Sequence, residues 1–252
     1  RRDGVVVITG GLGGIGLSVA EELYETSHAR LALVSRAELP DRAQWDELVG
    51  RLGAAHPTAE RIARVRALEA AGAEVLLLAA DVTDPDSVGR ALDRVRSTFG
   101  AVNGVVHAAG VIDDGLMVTK TPAQMDDVLA PKVYGTLVLE TATAADELDV
   151  FVVFSSTSTV TAPMGQVDYV AANAFLNAFA ESRAARGDDH VRAIDWGVWA
   201  EVGMAAASAR EDAADAAATT EWPAEHPFFD AAMRTVDGTV RIDEAVAAAA
   251  AD

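Results

Sequence analysis

The stretch "VVVITGGLGGIG", Val5–Gly16, decides the fold. A run of β-branched residues ends in glycines at positions 10, 11, 13, 14 and 16, and the amphipathic "GIGLSVAEELYE" (Gly14–Glu25) follows at once. The first part reads as a buried strand and the last as a helix. Glycines between them let the backbone N–H groups and the positive end of the helix approach a phosphate closely, which side chains there would prevent. Two templates fit. Gly11-Leu12-Gly13-Gly14-Ile15-Gly16 is a literal G-x-G-x-x-G, and Thr9-Gly10-x-x-x-Gly14-x-Gly16 is a looser spacing of the same turn. Either one, placed after a first strand, predicts a dinucleotide-binding turn.

Working outward, apolar runs alternate with helical patterns. "RLALVSR" (Arg30–Arg36), "EVLLLAADV" (Glu74–Val82), "GVVHAAG" (Gly104–Gly110), "DVFVVFSS" (Asp149–Ser156) and "VRAIDWGVW" (Val191–Trp199) read as further strands. Asp84 with Pro85 makes a helix start. "TPAQMDDVLAPKVYGTLVLETATA" reads as a long helix bent near Pro131. The expectation is an α/β fold: a Rossmann-like, doubly wound parallel sheet of about seven strands with helices on both faces. An insertion at about 37–58 adds a helix, with helices expected at Asp41–Leu52 and Ala59–Ala71, and reads as packing rather than chemistry. Residues 1–225 are expected to form one domain, with a lid at about 198–220. Residues 226–252 read as a tail or linker, possibly with an edge strand at Thr239–Ile242.

The net charge of −19 argues against nucleic acid as a partner, because phosphate backbones need basic patches. No apolar run approaches the ~20 residues that span a bilayer, and no signal peptide is visible, so a cytoplasmic setting without membrane contact is expected. There is no cysteine, and the five histidines show no metal-ligand spacing, so no metal is expected. The chain opens on Arg-Arg-Asp rather than Met and is expected to be a piece of something longer. Only two lysines occur, Lys120 and Lys132; every other basic side chain of fixed charge is an arginine.

The second strand ends in Ser35-Arg36, where an acidic residue would bind both ribose hydroxyls of NAD. A hydroxyl and a guanidinium suit the 2′-phosphate of NADPH instead, although Glu38 stands two residues on. Asp81 and Val82 follow the third strand, where they would meet adenine. His107, Ala108, Ala109 and Gly110 follow the fourth, where the backbone would pass close to the nicotinamide ribose. At the end of the fifth strand Ser156 can hydrogen-bond a substrate carbonyl. Tyr169 and Asn173, four apart, share a helix face. A tyrosine, with an ordinary pKa near ~10, needs a nearby cation to stabilise its phenolate if it is to donate a proton at neutral pH.

Together, "TGGLGGIG", "LVSR", "ADVTD", "HAAGVIDDGL", "PKVYGTLVLE" and "FSS…DYVAANAFLNAFA" resemble the ketoreductase domain of type I polyketide synthases, over roughly Val5–Met204. The resemblance implies a short-chain dehydrogenase/reductase fold and a catalytic set of Lys132, Ser156, Tyr169 and Asn173. Ordinary short-chain reductases place a lysine where Asn173 stands and an asparagine where Lys132 stands, so the two are exchanged here. The implied reaction is reduction by NADPH of a β-ketoacyl chain on the phosphopantetheine arm of an acyl carrier protein, with other domains of the same synthase as partners. "VIDDG" is similar to the Leu-Asp-Asp signature of B-type domains, with Ile112 for Leu and Asp113-Asp114 retained. Thr161 stands where A-type domains have Trp, and Ala171 where B-type domains acting on epimerised substrates often have Pro. The resemblance therefore implies a B1-type domain and a D-configured alcohol. Gln166, Trp199 and Met204 are further expected substrate contacts. Arg183, Arg186 and Arg192 form a candidate docking patch for the carrier protein. Family members also carry a truncated structural subdomain, expected before Arg1. Two other readings remain open: a free-standing short-chain dehydrogenase of a small alcohol or ketone, and a non-catalytic NADPH-binding scaffold.

Overall fold

The computed structural model describes residues 1–197. The expected lid, Trp199, Met204, the 225/226 boundary and the strand at 239–242 lie outside the described residues.

Six parallel strands form one sheet in the order β3-β2-β1-β4-β5-β6: β1 (Val5–Thr9), β2 (Arg30–Ser35), β3 (Val75–Ala79), β4 (Gly104–His107), β5 (Val150–Ser156) and β6 (Val191–Trp196). The expectation of about seven thus becomes six among the described residues. The third strand also stops short of its apolar run, because Ala80–Val82 already lie outside the ladder. Every residue of β1 is buried, and its side chains alternate between two cores. Val5 and Val7 join Ala32, Val34, Leu139 and Leu176 on one face, while Val6 and Ile8 join Leu31, Leu33, Trp45 and Ile62 on the other. Burial on both faces explains an apolar run that does not alternate with polar residues.

The crossovers are α1 (Gly14–Ser27), α2 (Trp45–Leu52), α3 (Pro57–Ala70), α4 (Pro85–Phe99), α5 (Pro122–Ala142), the short α6 (Ser158–Thr161) and α7 (Val167–Ala184). Asp84 caps α4 by accepting the Asp86 N–H at 3.0 Å, with Pro85 at the first helical position. Thr121 and Gln124 close a reciprocal cap on α5, which runs on through Pro131. The insertion folds as a 3₁₀ turn (Arg42–Gln44) leading into α2 and anchored by the buried Trp45, whose indole N–H donates to the Pro40 carbonyl at 2.7 Å. α3 begins at Pro57, earlier than the expected Ala59, because His56 caps it and Pro57 presets its first turn.

Strand order reverses between β1 and β4, so the turns leaving them diverge and open a crevice at their carboxyl ends. Gly10 turns there with φ +66°, and a Cβ on it would lie 2.7 Å from the Ala108 carbonyl oxygen. Beneath that contact His107 bolts three elements together. Its Nε2–H donates to the Pro131 carbonyl at 2.9 Å, so Nδ1 is the acceptor and takes the Thr9 hydroxyl hydrogen at 2.6 Å. Burial, and secondarily the Lys132 charge, push the imidazole down to about 3, partly opposed by the Pro131 bond.

Folded His107 therefore stays neutral across a range in which an unfolded histidine, titrating near 6.5, takes up a proton. Stability should fall as pH drops from about 6.5 towards 3, by up to about 1.4 kcal/mol per unit from this group. Urea unfolding at pH 7 and pH 4.5 checks it. His107→Gln should lose less stability over that interval than the parent chain, and equal losses would refute the assignment.

Candidate active site

A groove of about 510 Å³ runs along the carboxyl edge of the sheet. Gly10, Leu12, Gly13, Gly14, Ile15 and Gly16 form one wall, and Ala108, Ala109 and Gly110 face them. Gly13 is the N-cap of α1, so the first orphan N–H groups of that helix open onto the groove. Gly16 serves the packing of the turn itself. A Cβ there would lie 2.3 Å from the Gly10 carbonyl oxygen, so its absence lets helix and turn close up. The turn is a cradle that side chains would fill, and it fits the pyrophosphate of a dinucleotide.

Ser35, Arg36, Asp81 and Val82 line the far end of the groove. The Ser35 hydroxyl donates to the Ala37 carbonyl at 2.5 Å. Arg36 is exposed, and its guanidinium forms no hydrogen bond or ion pair with a described residue. The Asp81 carboxylate accepts the Thr83 N–H at 2.9 Å and the Thr83 hydroxyl at 2.7 Å. These two bonds hold it below the ordinary carboxylate range, and the Arg36 charge adds to them. Three expected contacts do not reach the groove wall: Thr9 and Gly11 are buried beneath the turn, and His107 is 1% exposed and occupied by the bonds described above. They shape the site from below.

The insertion does more than pack. Thr58 and Arg61 on α3 line the same end of the groove as Arg36, as does Glu38. Arg61 is exposed and, like Arg36, has no described partner. Its signal in sequence was weak, because only the fold brings α3 beside the end of β2.

At the other end the groove wall includes Gly110 and Pro131, next to Lys132. A Cβ on Gly110 would lie 3.1 Å from Lys132 Cε. Lys132 points inward from α5 and is 4% exposed. Its ammonium donates to the Phe154 carbonyl at 2.7 Å and lies 5.8 Å from the Tyr169 ring centroid. Burial pushes this lysine down to about 8. Asn173 is fully buried. Its amide donates to the Tyr169 carbonyl at 2.7 Å, and its Oδ1 has no partner among the described residues. Ser156 stands at the end of β5, where its Oγ accepts the Ser158 N–H at 3.1 Å. The buried Lys132 cation thus lies near the Tyr169 ring and holds the Phe154 carbonyl, two residues before Ser156 on β5, while Asn173 bonds back to Tyr169 and keeps an amide oxygen with no partner among the described residues. Such a set can polarise a carbonyl and deliver a proton to it.

The loop after β4 lies along this site. Asp114 Oδ2 accepts the Gln166 amide at 2.9 Å, and the Gly115 N–H donates to the Gly165 carbonyl at 2.9 Å. Thr161 ends α6 and is exposed, its hydroxyl donating to the Thr157 carbonyl at 3.3 Å. The candidate docking patch is weakened, since Arg183 pairs with Glu140 at 2.7 Å and with Asp188 at 3.3 Å.

Sheet order and the glycine turn after β1 are those of a short-chain dehydrogenase/reductase fold. A family model described as "KR domain" matches residues 4–201. The chain is 42% identical over 209 residues to 6-methylsalicylic acid synthase of Aspergillus terreus, covering 82% of this chain and 11% of that protein. It therefore spans about a tenth of that relative's length. Among solved structures, a ketoreductase domain from the bacillaene assembly line superposes with a TM-score of 0.69 at 33% identity, covering 81% of this chain and 46% of that one. A short chain dehydrogenase from Burkholderia cenocepacia J2315, in complex with NADP, superposes with a TM-score of 0.61 at 26% identity, over 77% and 74%. The chain belongs to the ketoreductase (KR) domain family found in polyketide synthases, and it is an oxidoreductase that uses a nicotinamide cofactor.

The lowered Lys132 gives a pH signature. Above about 8 the free enzyme loses the ammonium, and with it the charge beside Tyr169. Because kcat/KM reports the free enzyme, its value for ketone reduction should decline above about pH 8. An alkaline limb that begins only near 10 would contradict a buried, perturbed lysine.

Proposed function

We propose that this domain reduces a β-ketoacyl thioester, carried on the phosphopantetheine arm of an acyl carrier protein, to the β-hydroxyacyl form with NADPH. The observation that carries the reading is Lys132, buried beside Tyr169 at the end of a dinucleotide groove. When bound, the nicotinamide supplies the hydride. The chain's own residues do the rest. Ser156 Oγ hydrogen-bonds the substrate carbonyl oxygen. Tyr169 donates its phenolic proton to that oxygen as it becomes the alcohol. The Lys132 charge stabilises the phenolate left behind. The unpartnered Oδ1 of Asn173 accepts from a water that passes the replacement proton towards Lys132 and Tyr169. This acceptor is the physical case for asparagine at that position: a second buried lysine would repel the first. Met117, Val118, Val160 and Met164, exposed on either side of the Gly115–Gly165 contact, suit an acyl chain and its pantetheine arm. Asp113 and Asp114 with Thr161 support a B-type site and a D-configured product.

Tyr169→Phe removes only the proton donor. Turnover of a small β-ketothioester should fall at least about a hundredfold, while quenching of NADPH fluorescence on binding stays as in the parent. Near-parental turnover would overturn the mechanism, and chiral chromatography showing an L-alcohol from the parent would overturn the B-type reading.

Choice of cofactor rests on Arg36 and Arg61. Both residues line one end of the groove, and neither guanidinium has a hydrogen-bond or ion-pair partner among the described residues, which suits a 2′-phosphate. Arg36→Gln and Arg61→Gln should each weaken NADPH binding by about tenfold, in line with the loss of one charged hydrogen bond, and leave NADH binding unchanged. Equal losses for the two cofactors would point to a structural role instead.

A further inference from the structure

The other lysine of this chain is buried too. The Lys120 side chain is 3% exposed and pairs with Asp168, itself 2% exposed. The same ammonium donates to the backbone carbonyl of Asp113 and lies 3.9 Å from its carboxylate. Asp168 is in the first turn of α7, directly before Tyr169, and its second oxygen accepts the Tyr169 N–H at 2.9 Å. One ion pair therefore connects the backbone of the Asp113-Asp114 loop to the backbone of the proton donor. Gln166 to Asp114 and Gly115 to Gly165 extend the same seam.

Burying two charges is costly unless geometry and further hydrogen bonds compensate, so an apolar pair would hold a helix to a loop at least as firmly. What an ion pair adds is direction. The lysine ammonium reaches a carbonyl and a carboxylate at once, and so fixes register between the two segments rather than mere contact. The loop it fixes borders the space where the substrate carbonyl must face Tyr169.

We propose that Lys120 and Asp168 form a positioning pair that sets the Asp113-Asp114 loop against Tyr169. In this way they determine which face of the substrate carbonyl is presented for reduction. The inference rests on the ketoreductase reading above. It concerns residues that make no contact with the reacting atoms and act through the loop and Tyr169.

The test uses the whole chain and a racemisation-free β-ketothioester with two distinguishable alcohol products. Lys120→Met/Asp168→Asn removes both charges and keeps an acceptor for the Tyr169 N–H, so it avoids the lone buried charge of Lys120→Met. Asp168→Asn alone is the second variant: it removes the direct charge pair but leaves Lys120 its bond to the Asp113 carbonyl and the nearby Asp113 carboxylate. Lys120→Arg keeps the charge. In the double variant the ratio of the two alcohols should shift by about tenfold or more towards the disfavoured one, as small misplacements near a reacting centre do. KM should rise, with melting temperature and NADPH dissociation constant close to the parent. Asp168→Asn should shift the ratio the same way by less, and Lys120→Arg should retain most of the parent ratio. An unchanged ratio and KM in the folded double variant, or in Asp168→Asn, would overturn the proposal and leave the pair structural. The readout is a change in ratio, so it stands whichever alcohol the parent makes. A parent that reduces no β-ketothioester overturns the ketoreductase reading itself, and the inference with it.

Discussion

The structure depends on how closely two turns meet at the centre of the sheet. β1 and β4 lie side by side, and the chain leaves them in opposite directions. Gly10, at φ +66°, lets the first turn lie against the backbone of the second with no room for a Cβ. That contact places the N-terminus of α1 at the crevice and brings Ala108–Gly110 across from it. His107, neutral and buried, joins the ends of both strands to the Pro131 carbonyl of α5. The next residue along that helix is Lys132. The glycine cradle and the buried Lys132 are thus positioned by one packed unit, and a shift at Gly10 would be felt at both.

Burial of Lys132 explains why the lysine is on α5 and the asparagine on α7. From α5 the side chain reaches the Phe154 carbonyl and the Tyr169 ring together. The neighbouring α7 position, four residues after Tyr169, is fully enclosed. An amide fits there because it can donate back to the Tyr169 carbonyl and still offer an acceptor inward. A charge in that place would need its own counter-charge, and none of the described carboxylates touches it.

Much of this was legible in the sequence. The strand-glycine-helix pattern at Val5–Gly16 and the cap at Asp84 each carry a local physical signature, and both elements form as that signature requires. Other features were hidden because they arise only on folding. His107 sits in a stretch expected to run along the cofactor, yet its side chain turns down into the core, a choice set by Thr9 and by Pro131, 24 residues on. Arg61 stands on α3, just past the insertion, and only the fold brings it to the groove that Ser35 and Arg36 line. The Lys120–Asp168 pair joins residues 48 apart, and nothing near either one in sequence marks it.

The use of basic residues follows from the same physics. The chain carries a net charge of −19 and must still hold an anionic cofactor, so its cations have to be placed rather than merely present. Arginine stays charged in any setting and offers a planar fork, and arginines stand where the groove meets the ribose end. Lysine is a compact point charge whose proton can be loosened by burial. Both lysines of the chain are buried near Tyr169, one beside its ring and one paired with Asp168 directly before it. Arg in place of Lys132 would keep a charge but could not lose its proton near neutral pH, and its larger head would have to displace Gly110 or the Phe154 carbonyl. On the proposed mechanism, the division of labour between the two cation types follows from where a proton must move and where a phosphate must only be held.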